Sequence, residues 1–305
     1  MSEVAVEHLT KDYGLGRGVF DVSFSIEKGE VFGFLGPNGA GKSTTIRHLM
    51  GFSKPDSGST KILGKNTFKN YYNLLSYVGY LPGEIALPEG LTGTEFIKMM
   101  KDLRHLKSDK KTKELIERFK LDPSGETKEM SLGQKRKLAV VVAFMHDPDI
   151  LILDEPTSGL DPLMQNEFIK YIKEEKEKGK TILLSSHIFS EVDATCDRIA
   201  IIKDGHLVDN FIASELKHNK TKVYVVKVGD LQSFNAFDNM PNIEVAEKDE
   251  ENGTITIKID EAYTNDVIQK LSQMNIQDLV EEKISLQDYF MKFYKEDRSY
   301  VTVNR

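Results

Sequence analysis

The chain has 305 residues, a formal net charge of −7 and one cysteine, Cys196. Its length exceeds what a single small hydrophobic core needs, so we expect two domains. The acidic balance lacks the basic excess that is typical of nucleic-acid-binding proteins, and no nucleic-acid partner is expected. A lone cysteine excludes an intrachain disulfide and a zinc cluster and indicates a reducing compartment, by default the cytosol.

The N-terminal segment is rich in predicted strands. Apolar and polar residues alternate over 4–9 and 19–26, and a turn then leads into a continuously apolar strand at 31–35. Between the first two strands, Tyr13 lies on a turn. A tyrosine in a turn is most often ordinary surface packing, but its ring is also suited to stack on a nucleobase. The loop that follows the third strand favours the second interpretation.

That loop is rich in glycine and runs directly into a predicted helix that begins at Ser43 and ends before Gly51. From Gly36 to Ser43 the sequence has the pattern G-x-x-x-x-G-K-S, which binds nucleotide phosphates. Glycine permits the positive φ angles that turn N–H groups toward an anion, and the helix N-terminus adds its dipole. We predict that Lys42 contacts the β- and γ-phosphates and that Ser43 offers its hydroxyl to Mg²⁺. The predicted nucleotide contacts are Gly36, Pro37, Asn38, Gly39, Ala40, Gly41, Lys42, Ser43 and Thr44.

The middle of the chain changes from strand patterns to helix patterns. Short strands are predicted at 60–63 and 77–82, whereas from 91 to 120 apolar residues recur at helical spacing with lysines between them. We therefore expect an inserted helical lobe at about 84–148. A further helix is predicted from Ser131, which is suited to cap its N-terminus, through an apolar run at 138–145 that is far shorter than the ~20 residues needed to cross a bilayer.

Two buried strands end in polar side chains at the edge where parallel α/β sheets bind ligands. The first delivers Asp154 and Glu155 after four consecutive aliphatic residues, and the second ends at His187. We predict that Asp154 holds Mg²⁺, directly or through water, and that Glu155 polarises the attacking water. An isolated histidine usually has a structural role, but at this edge His187 is suited to contact phosphate.

These motifs resemble the nucleotide-binding subunit of an ATP-binding cassette (ABC) transporter over nearly all of residues 1–210. The resemblance implies ATP and Mg²⁺ as cofactors, and a phosphate loop of one protomer that meets the signature helix of another. It also implies ATP hydrolysis with Lys42, Glu155 and His187 as catalytic residues, and Mg²⁺ at Ser43 and Asp154. The motifs that carry it, in chain order, are Tyr13, the phosphate loop, a signature segment with Ser131, Gly133 and Gln134, the Asp154-Glu155 strand, the loop from Ser158 to Asp161, and the switch His187. Ser131, Gly133, Gln134, Ser158 and Asp161 are thereby implied as further nucleotide contacts.

Two places depart from the family pattern. Met130 and Leu132 replace a leucine and the first glycine of the usual signature, although its serine, second glycine and glutamine are present. Gly83, followed by Glu84, stands where a loop glutamine is expected to contact Mg²⁺ and the attacking water. We favour water filling that gap over Glu84 swinging in as a ligand, because a third acidic group would raise repulsion there.

The C-terminal part follows an independent pattern of strand, helix, strand, strand, helix, strand and a terminal amphipathic helix. The predicted fold class is α/β: a P-loop NTPase core of the ABC type with an antiparallel β subdomain and the helical lobe, followed by a small α+β ferredoxin-like domain. The predicted boundary lies between 1–215 and 216–305. The aromatic side chains of the terminal helix pack on their own domain or contact another subunit, and we favour the first.

The resemblance further implies the ATP-binding and ATP-hydrolysing subunit of an exporter of peptides, antibiotics or drugs, at the cytoplasmic face of the cell membrane. Its expected partners are a separate transmembrane permease subunit and a second nucleotide-binding domain, in a homodimer or from a paralogous ATPase. The alternative is a soluble ABC ATPase that acts on DNA or ribosomes, but the chain has neither a long coiled-coil insertion nor a second cassette. A non-hydrolysing nucleotide sensor is disfavoured because Lys42, Asp154, Glu155 and His187 are all present.

Overall fold

The computed structural model describes residues 2–217, 221–282 and 285–295. Its contacts divide the chain into two units, Met1–Ala213 and Ser214–Arg305. Within the described ranges, no helix has both the length and the apolar character that a membrane span requires.

The first unit contains two sheets. One is antiparallel and is formed by β1 (Ser2–Asp12), β2 (Gly18–Glu27), β4 (Ser57–Ile62) and β5 (Lys65–Asn66) in the order β2-β1-β4-β5. The other is formed by β3 (Val31–Leu35), β6 (Val78–Leu81), β7 (Ile150–Asp154), β8 (Thr181–Ser186), β9 (Arg198–Lys203) and β10 (His206–Ile212) in the order β10-β9-β3-β8-β7-β6. Its neighbours pair in parallel except β9 and β10. The two sheets share a core in which Phe24 stacks on Phe32 with ring centroids 4.9 Å apart.

Strands β3, β7 and β8 are buried along their whole length. Parallel strands that are covered on both faces need no polar face, which explains their continuous apolar sequences. The register pairs Leu35 with Ser186, and Asp154 with Ser185. The phosphate loop, the two carboxylates and His187 therefore leave three adjacent strands at the same edge of the sheet.

Seven helices of the first unit are α1 (Lys42–Leu49), α2 (Thr67–Leu74), α3 (Gly93–Leu103), α4 (Lys110–Arg118), α5 (Leu132–Phe144), α6 (Pro162–Glu177) and α7 (Phe189–Thr195). Aromatic contacts join α5, α6 and the C-terminal end of α4. The ring centroid of Tyr171 lies 5.1 Å from that of Phe144 and 5.7 Å from that of Phe119, the residue that caps α4. Arg118 adds hydrogen bonds to Glu174 of α6 at 2.5 and 2.7 Å. Helix α2 is not among the elements predicted from the sequence, and Asn70 interrupts it with a φ of −125°.

The second unit has its own antiparallel sheet and core. A short helix, α8 (Ala213–Lys217), lies at the boundary between the units. The elements that follow are β11 (Thr221–Val228), α9 (Leu231–Ala236), β12 (Ile243–Asp249), β13 (Thr254–Asp260), α10 (Thr264–Leu271), β14 (Ile276–Glu282) and α11 (Leu286–Lys295), with short 3-10 turns at Phe237–Asn239 and Glu261–Tyr263. The strands have the order β12-β13-β11-β14, and every neighbouring pair is antiparallel. Val226, Ile255 and Ile257 are fully buried in the core of this unit.

Candidate active site

The phosphate loop lies between β3 and α1. Gly41 is the N-cap of α1, with a φ of +110° and no side-chain capping bond. A Cβ atom there would lie 2.7 Å from Cγ1 of Val19, so the position requires glycine. The first N–H groups of α1 have no partner within the helix, an arrangement that suits the binding of a phosphate.

Lys42 is buried and reaches back across the loop. Its Nζ donates to the carbonyl oxygens of Gly36 at 2.6 Å and Pro37 at 3.1 Å. The same ammonium lies 3.0 Å from Oε1 of Glu155. A buried cation needs such partners, and a phosphate oxygen has the charge to replace one of them.

Asp154 is buried at the end of β7. Its Oδ1 accepts a hydrogen bond from Oγ of Ser185, its register partner on β8, at 2.5 Å. The other oxygen, Oδ2, lies 3.0 Å from where a Cβ atom of Gly83 would stand. The backbone that follows β6 therefore borders the carboxylate that we expect to hold Mg²⁺, whereas Glu84 is exposed.

Glu155 links the phosphate loop to the histidine. Its Oε2 lies 2.6 Å from Nδ1 of His187, while Oε1 pairs with Lys42. Its backbone is left-handed, with a φ of +48°, a conformation that is uncommon for glutamate and frequent at functional sites. Its N–H donates to the carbonyl oxygen of Ser185 at 3.0 Å, which fixes this conformation. The carboxylate is thus oriented by a cation on one side and an imidazole on the other.

The donors near the loop fit Mg²⁺ by their chemistry. A carboxylate at Asp154 and a hydroxyl at the exposed Ser43 supply the hard oxygen atoms that Mg²⁺ prefers. Across the described ranges, no group of three or more histidine, cysteine, aspartate or glutamate side chains could hold a metal by itself. A divalent ion at this site would therefore take its remaining ligands from the nucleotide and from water.

The signature segment begins helix α5 with a capping box. Oγ of Ser131 accepts from the N–H of Gln134 at 3.3 Å, and Oε1 of Gln134 accepts from the N–H of Ser131 at 2.9 Å. Leu132 is 60% exposed, and a Cβ atom on Gly159 would lie 2.8 Å from its Cγ. A Cβ atom on Gly133 would lie 3.0 Å from the carbonyl oxygen of Gly159. The signature therefore packs against the loop that follows Glu155.

Two other predicted nucleotide contacts have clear positions. Asp161 caps α6, because its Oδ1 accepts from the N–H of Met164 at 3.0 Å. Tyr13 is 51% exposed, with Nζ of Lys11 lying 5.7 Å from the centre of its ring. The structure thus brings Lys42, Asp154, Glu155 and His187 together, while the side chains of Ser131, Gln134 and Asp161 serve helix ends.

Sequence reasoning missed three residues that support this cluster: Ser185, Arg136 and Glu191. Arg136 is 2% exposed, and its guanidinium donates to the carbonyl oxygens of Pro82, Gly83 and Ser158. Glu191 is also buried, which raises its pKa to about 7, and its Oε2 accepts from Oγ of Ser186 at 2.6 Å. Arg136 lies four residues before the buried Val140 on the same face of α5, but a basic residue in a helix pattern normally indicates a solvated face, so this spacing was not a sufficient signal.

Comparison with known proteins places these features in a family. A family model described as "ABC transporter" matches residues 19–158. The linearmycin resistance ATP-binding protein LnrL of Bacillus subtilis is 40% identical over 207 residues, which are 66% of this chain and 67% of LnrL. The bacitracin transport ATP-binding protein BcrA of Bacillus licheniformis is 37% identical over 227 residues, 73% of this chain and 74% of BcrA. The uncharacterized ABC transporter ATP-binding protein YcbN of Bacillus subtilis is 33% identical over 300 residues, which are 95% of this chain and 96% of YcbN.

Solved structures agree with the sequence relatives. The ATP-binding subunit of an ABC transporter matches with a TM-score of 0.64 at 30% identity, over 71% of this chain and 92% of that subunit. A dimeric post-hydrolysis state of the ATP-binding cassette MJ0796, bound to ADP and Pi, matches with a TM-score of 0.63 at 23% identity, over 69% of this chain and 98% of that one. At that identity the second match shows a shared fold.

Proposed function

The chain belongs to the ABC transporter ATP-binding proteins, and we propose that this ATPase subunit powers the export of a peptide, antibiotic or drug through a separate transmembrane subunit. The names of LnrL and BcrA, which concern linearmycin resistance and bacitracin transport, support this class of cargo. The observation that carries the proposed hydrolysis is the position of the Glu155 carboxylate, within hydrogen-bond reach of both Lys42 and His187. Neither the matched family nor the relatives support the alternative of a DNA- or ribosome-directed ATPase.

Hydrolysis of ATP at this cluster needs a positioned water and a place for its proton. With the phosphates held by the loop N–H groups, Lys42 moves from Glu155 toward the β- and γ-phosphate oxygens and neutralises their charge. The released Glu155 carboxylate then orients the attacking water and accepts its proton. His187 holds the other carboxylate oxygen and adds a donor near the transferred phosphoryl group. Mg²⁺, when bound by Ser43 and Asp154, supplies charge neutralisation at the phosphate oxygens.

The N-terminus of α5 suits contact with a nucleotide on a second protomer. Its capping box uses the side chains of Ser131 and Gln134, and the N–H groups of Leu132 and Gly133 at the first turn have no partner within the helix. We therefore infer that ATP bound to one protomer is completed by the signature segment of another, so that ATP binding closes a dimer and hydrolysis opens it. The partner protomer is a second copy or a paralogous ATPase.

The second unit is assigned a supporting role. Its element order and its strand order, with the last strand beside the first, support the proposal of a ferredoxin-like fold. We propose that residues 216–305 form an accessory domain, because each predicted nucleotide contact lies before residue 216. The subunit is proposed to work at the cytoplasmic face of the membrane, bound to its permease.

The proposal is tested by purification of the chain and by assay of Mg²⁺-dependent ATP hydrolysis, alone and with copurified membrane partners identified by mass spectrometry. Export predicts that a transmembrane protein copurifies and that loss of the chain sensitises the cell to a peptide or antibiotic. Stimulation of the ATPase by DNA or ribosomes, with no membrane partner recovered, would contradict it.

A further inference from the structure

Arg136 is among the largest side chains that are fully buried, and it has an unusual set of partners. Its Nε donates to the carbonyl oxygen of Ser158 at 2.9 Å, Nη1 to that of Pro82 at 2.9 Å and Nη2 to that of Gly83 at 2.6 Å. Within residues 2–217, no carboxylate forms an ion pair with it. A buried guanidinium that binds only backbone carbonyls is suited to fix the positions of loops.

Both of the segments that Arg136 holds border the residues that carry the expected hydrolytic carboxylates. Gly83 lies against Asp154, since a Cβ atom there would stand 3.0 Å from Oδ2 and 3.3 Å from Cγ. Ser158 lies against Glu155, because its N–H donates to the carbonyl oxygen of Glu155 at 3.1 Å. Arg136 is therefore connected to the expected metal ligand, Asp154, through Gly83, and to the expected base, Glu155, through Ser158.

Arg136 itself stands on α5, two residues after Gln134 of the signature segment. A rigid helix transmits a displacement of its N-terminus along its length, so a movement of the signature moves the guanidinium and the three carbonyl groups together. The nearby charges of Asp154, Glu155 and Glu191 oppose the lowering of its pKa by burial. Arginine stays protonated in proteins, so the guanidinium keeps all of its N–H donors for the three carbonyl groups.

Resting on the proposed ATPase function, we propose that Arg136 is a positioning residue that couples the signature helix to Asp154 and Glu155 by holding the backbone of Pro82, Gly83 and Ser158. Glycine at position 83 is part of the same arrangement, because a side chain there would move the backbone that Arg136 binds away from Asp154. The position of α5 thereby sets the Mg²⁺ requirement and the turnover of the site, without contact between Arg136 and the nucleotide.

The test compares Arg136→Lys with Arg118→Lys. Both substitutions keep the positive charge and replace a planar guanidinium, which donates in several fixed directions, by a single ammonium group. Arg118, however, binds Glu167 and Glu174 on α6, away from the carboxylate cluster. We expect Arg136→Lys to lower kcat by about 10- to 100-fold, as misplacement of catalytic groups does. The Mg²⁺ concentration for half activity should rise several-fold, while KM for ATP stays near wild type because the phosphate loop is intact. Arg118→Lys should show wild-type values of all three.

A readout without turnover accompanies the assay. In nucleotide-free protein, amide hydrogen exchange in peptides that cover 82–85 and 157–160 should be faster in Arg136→Lys than in wild type, and unchanged in Arg118→Lys. Gly83→Ala keeps Arg136 and should reproduce the raised Mg²⁺ requirement. Because both changes act on one segment, their effects on kcat should be less than additive in the double variant.

The outcomes separate the two proposals. If wild type and Arg118→Lys do not hydrolyse ATP, the proposed function fails and the coupling fails with it. If wild type is active and Arg136→Lys has a wild-type Mg²⁺ requirement and exchange pattern, or the two changes are fully additive, only the coupling is overturned. If Arg136→Lys does not fold, Arg136→Gln and Gly83→Ala decide, and a wild-type Mg²⁺ requirement in either overturns the proposal.

Discussion

Lys42 and Glu155 form an ion pair, with Nζ and Oε1 3.0 Å apart and with side chains that are 5% and 14% exposed. The cation that is expected to bind phosphate is thus held by the carboxylate that is expected to activate water. In the mechanism proposed above, ATP replaces the Glu155 carboxylate around Lys42, and the carboxylate becomes available to orient water. We therefore expect occupancy by nucleotide to be coupled to readiness for hydrolysis.

The first prediction concerns Glu155→Gln. The amide keeps the shape of the side chain but cannot accept the proton of water, so turnover should fall by roughly 10²–10⁴. Binding of ATP should be retained or improved, because the competing negative charge beside Lys42 is gone. Light scattering with Mg-ATP should then detect a dimer that persists. Turnover near that of wild type would remove Glu155 from the role of base.

The second prediction concerns Glu84→Ala. Glu84 is exposed, and the backbone at Gly83 already borders Asp154. We therefore expect an unchanged Mg²⁺ requirement for ATP hydrolysis in the isolated chain, with water filling the place of the absent glutamine. The measurement is a Mg²⁺ titration of ATPase activity, alone and with the membrane partner. A large rise in the Mg²⁺ needed for half activity would show that Glu84 serves as the substitute ligand.

The third prediction concerns a chain that ends at residue 215. The first unit contains its own core and all predicted nucleotide contacts, so the truncated protein should bind ATP with wild-type affinity. A shorter dimer lifetime or altered regulation is expected instead. Nucleotide titration and light scattering on the soluble fragment test both parts. Loss of ATP binding in a folded fragment would show that the two units depend on each other.

The fourth prediction concerns Glu191, whose buried carboxyl has a pKa raised from 4.5 to about 7. Between these values the folded chain binds the proton more tightly than the unfolded chain, so this group makes stability fall as pH rises from about 4.5 to 7, and no further above 7. Glu191→Gln should remove that slope. The free energy of unfolding of this variant minus that of wild type should therefore rise by about 2 kcal/mol from pH 5.5 to pH 8.

Urea unfolding at the two pH values measures this difference, and Glu84→Gln, at an exposed glutamate, is the matched control. The control should differ from wild type by the same amount at both pH values. An identical offset for Glu191→Gln at both values would mean that Glu191 is ionised throughout this range.

Much of the site is predictable because its signals are local. The strand, the glycine loop and the helix around Lys42 are contiguous in sequence. The apolar strand that ends in Asp154 and Glu155 can be recognised from its own residues, without knowledge of the strand that it pairs with. Tyr13 as a stacking ring and the contacts of the signature with nucleotide stay predictions.

The supporting residues could not be predicted in the same way. The bond from Ser185 to Asp154 depends on the pairing of β7 with β8 across about thirty residues of chain. The bonds of Arg136 depend on the meeting of α5 with two loops, and a basic residue in a helix pattern normally indicates a solvated face. Such contacts are properties of the assembled sheet and lobe.

The left-handed backbone of Glu155 has a consequence for how this sequence can change. Held at a φ of +48°, the residue carries about 1 kcal/mol of backbone strain that glycine would not have. Glycine would, however, leave the buried ammonium of Lys42 without its carboxylate partner, which we expect to cost more than the strain returns. Even with its strained backbone, Glu155 is therefore expected to be a residue that this fold cannot lose without melting earlier.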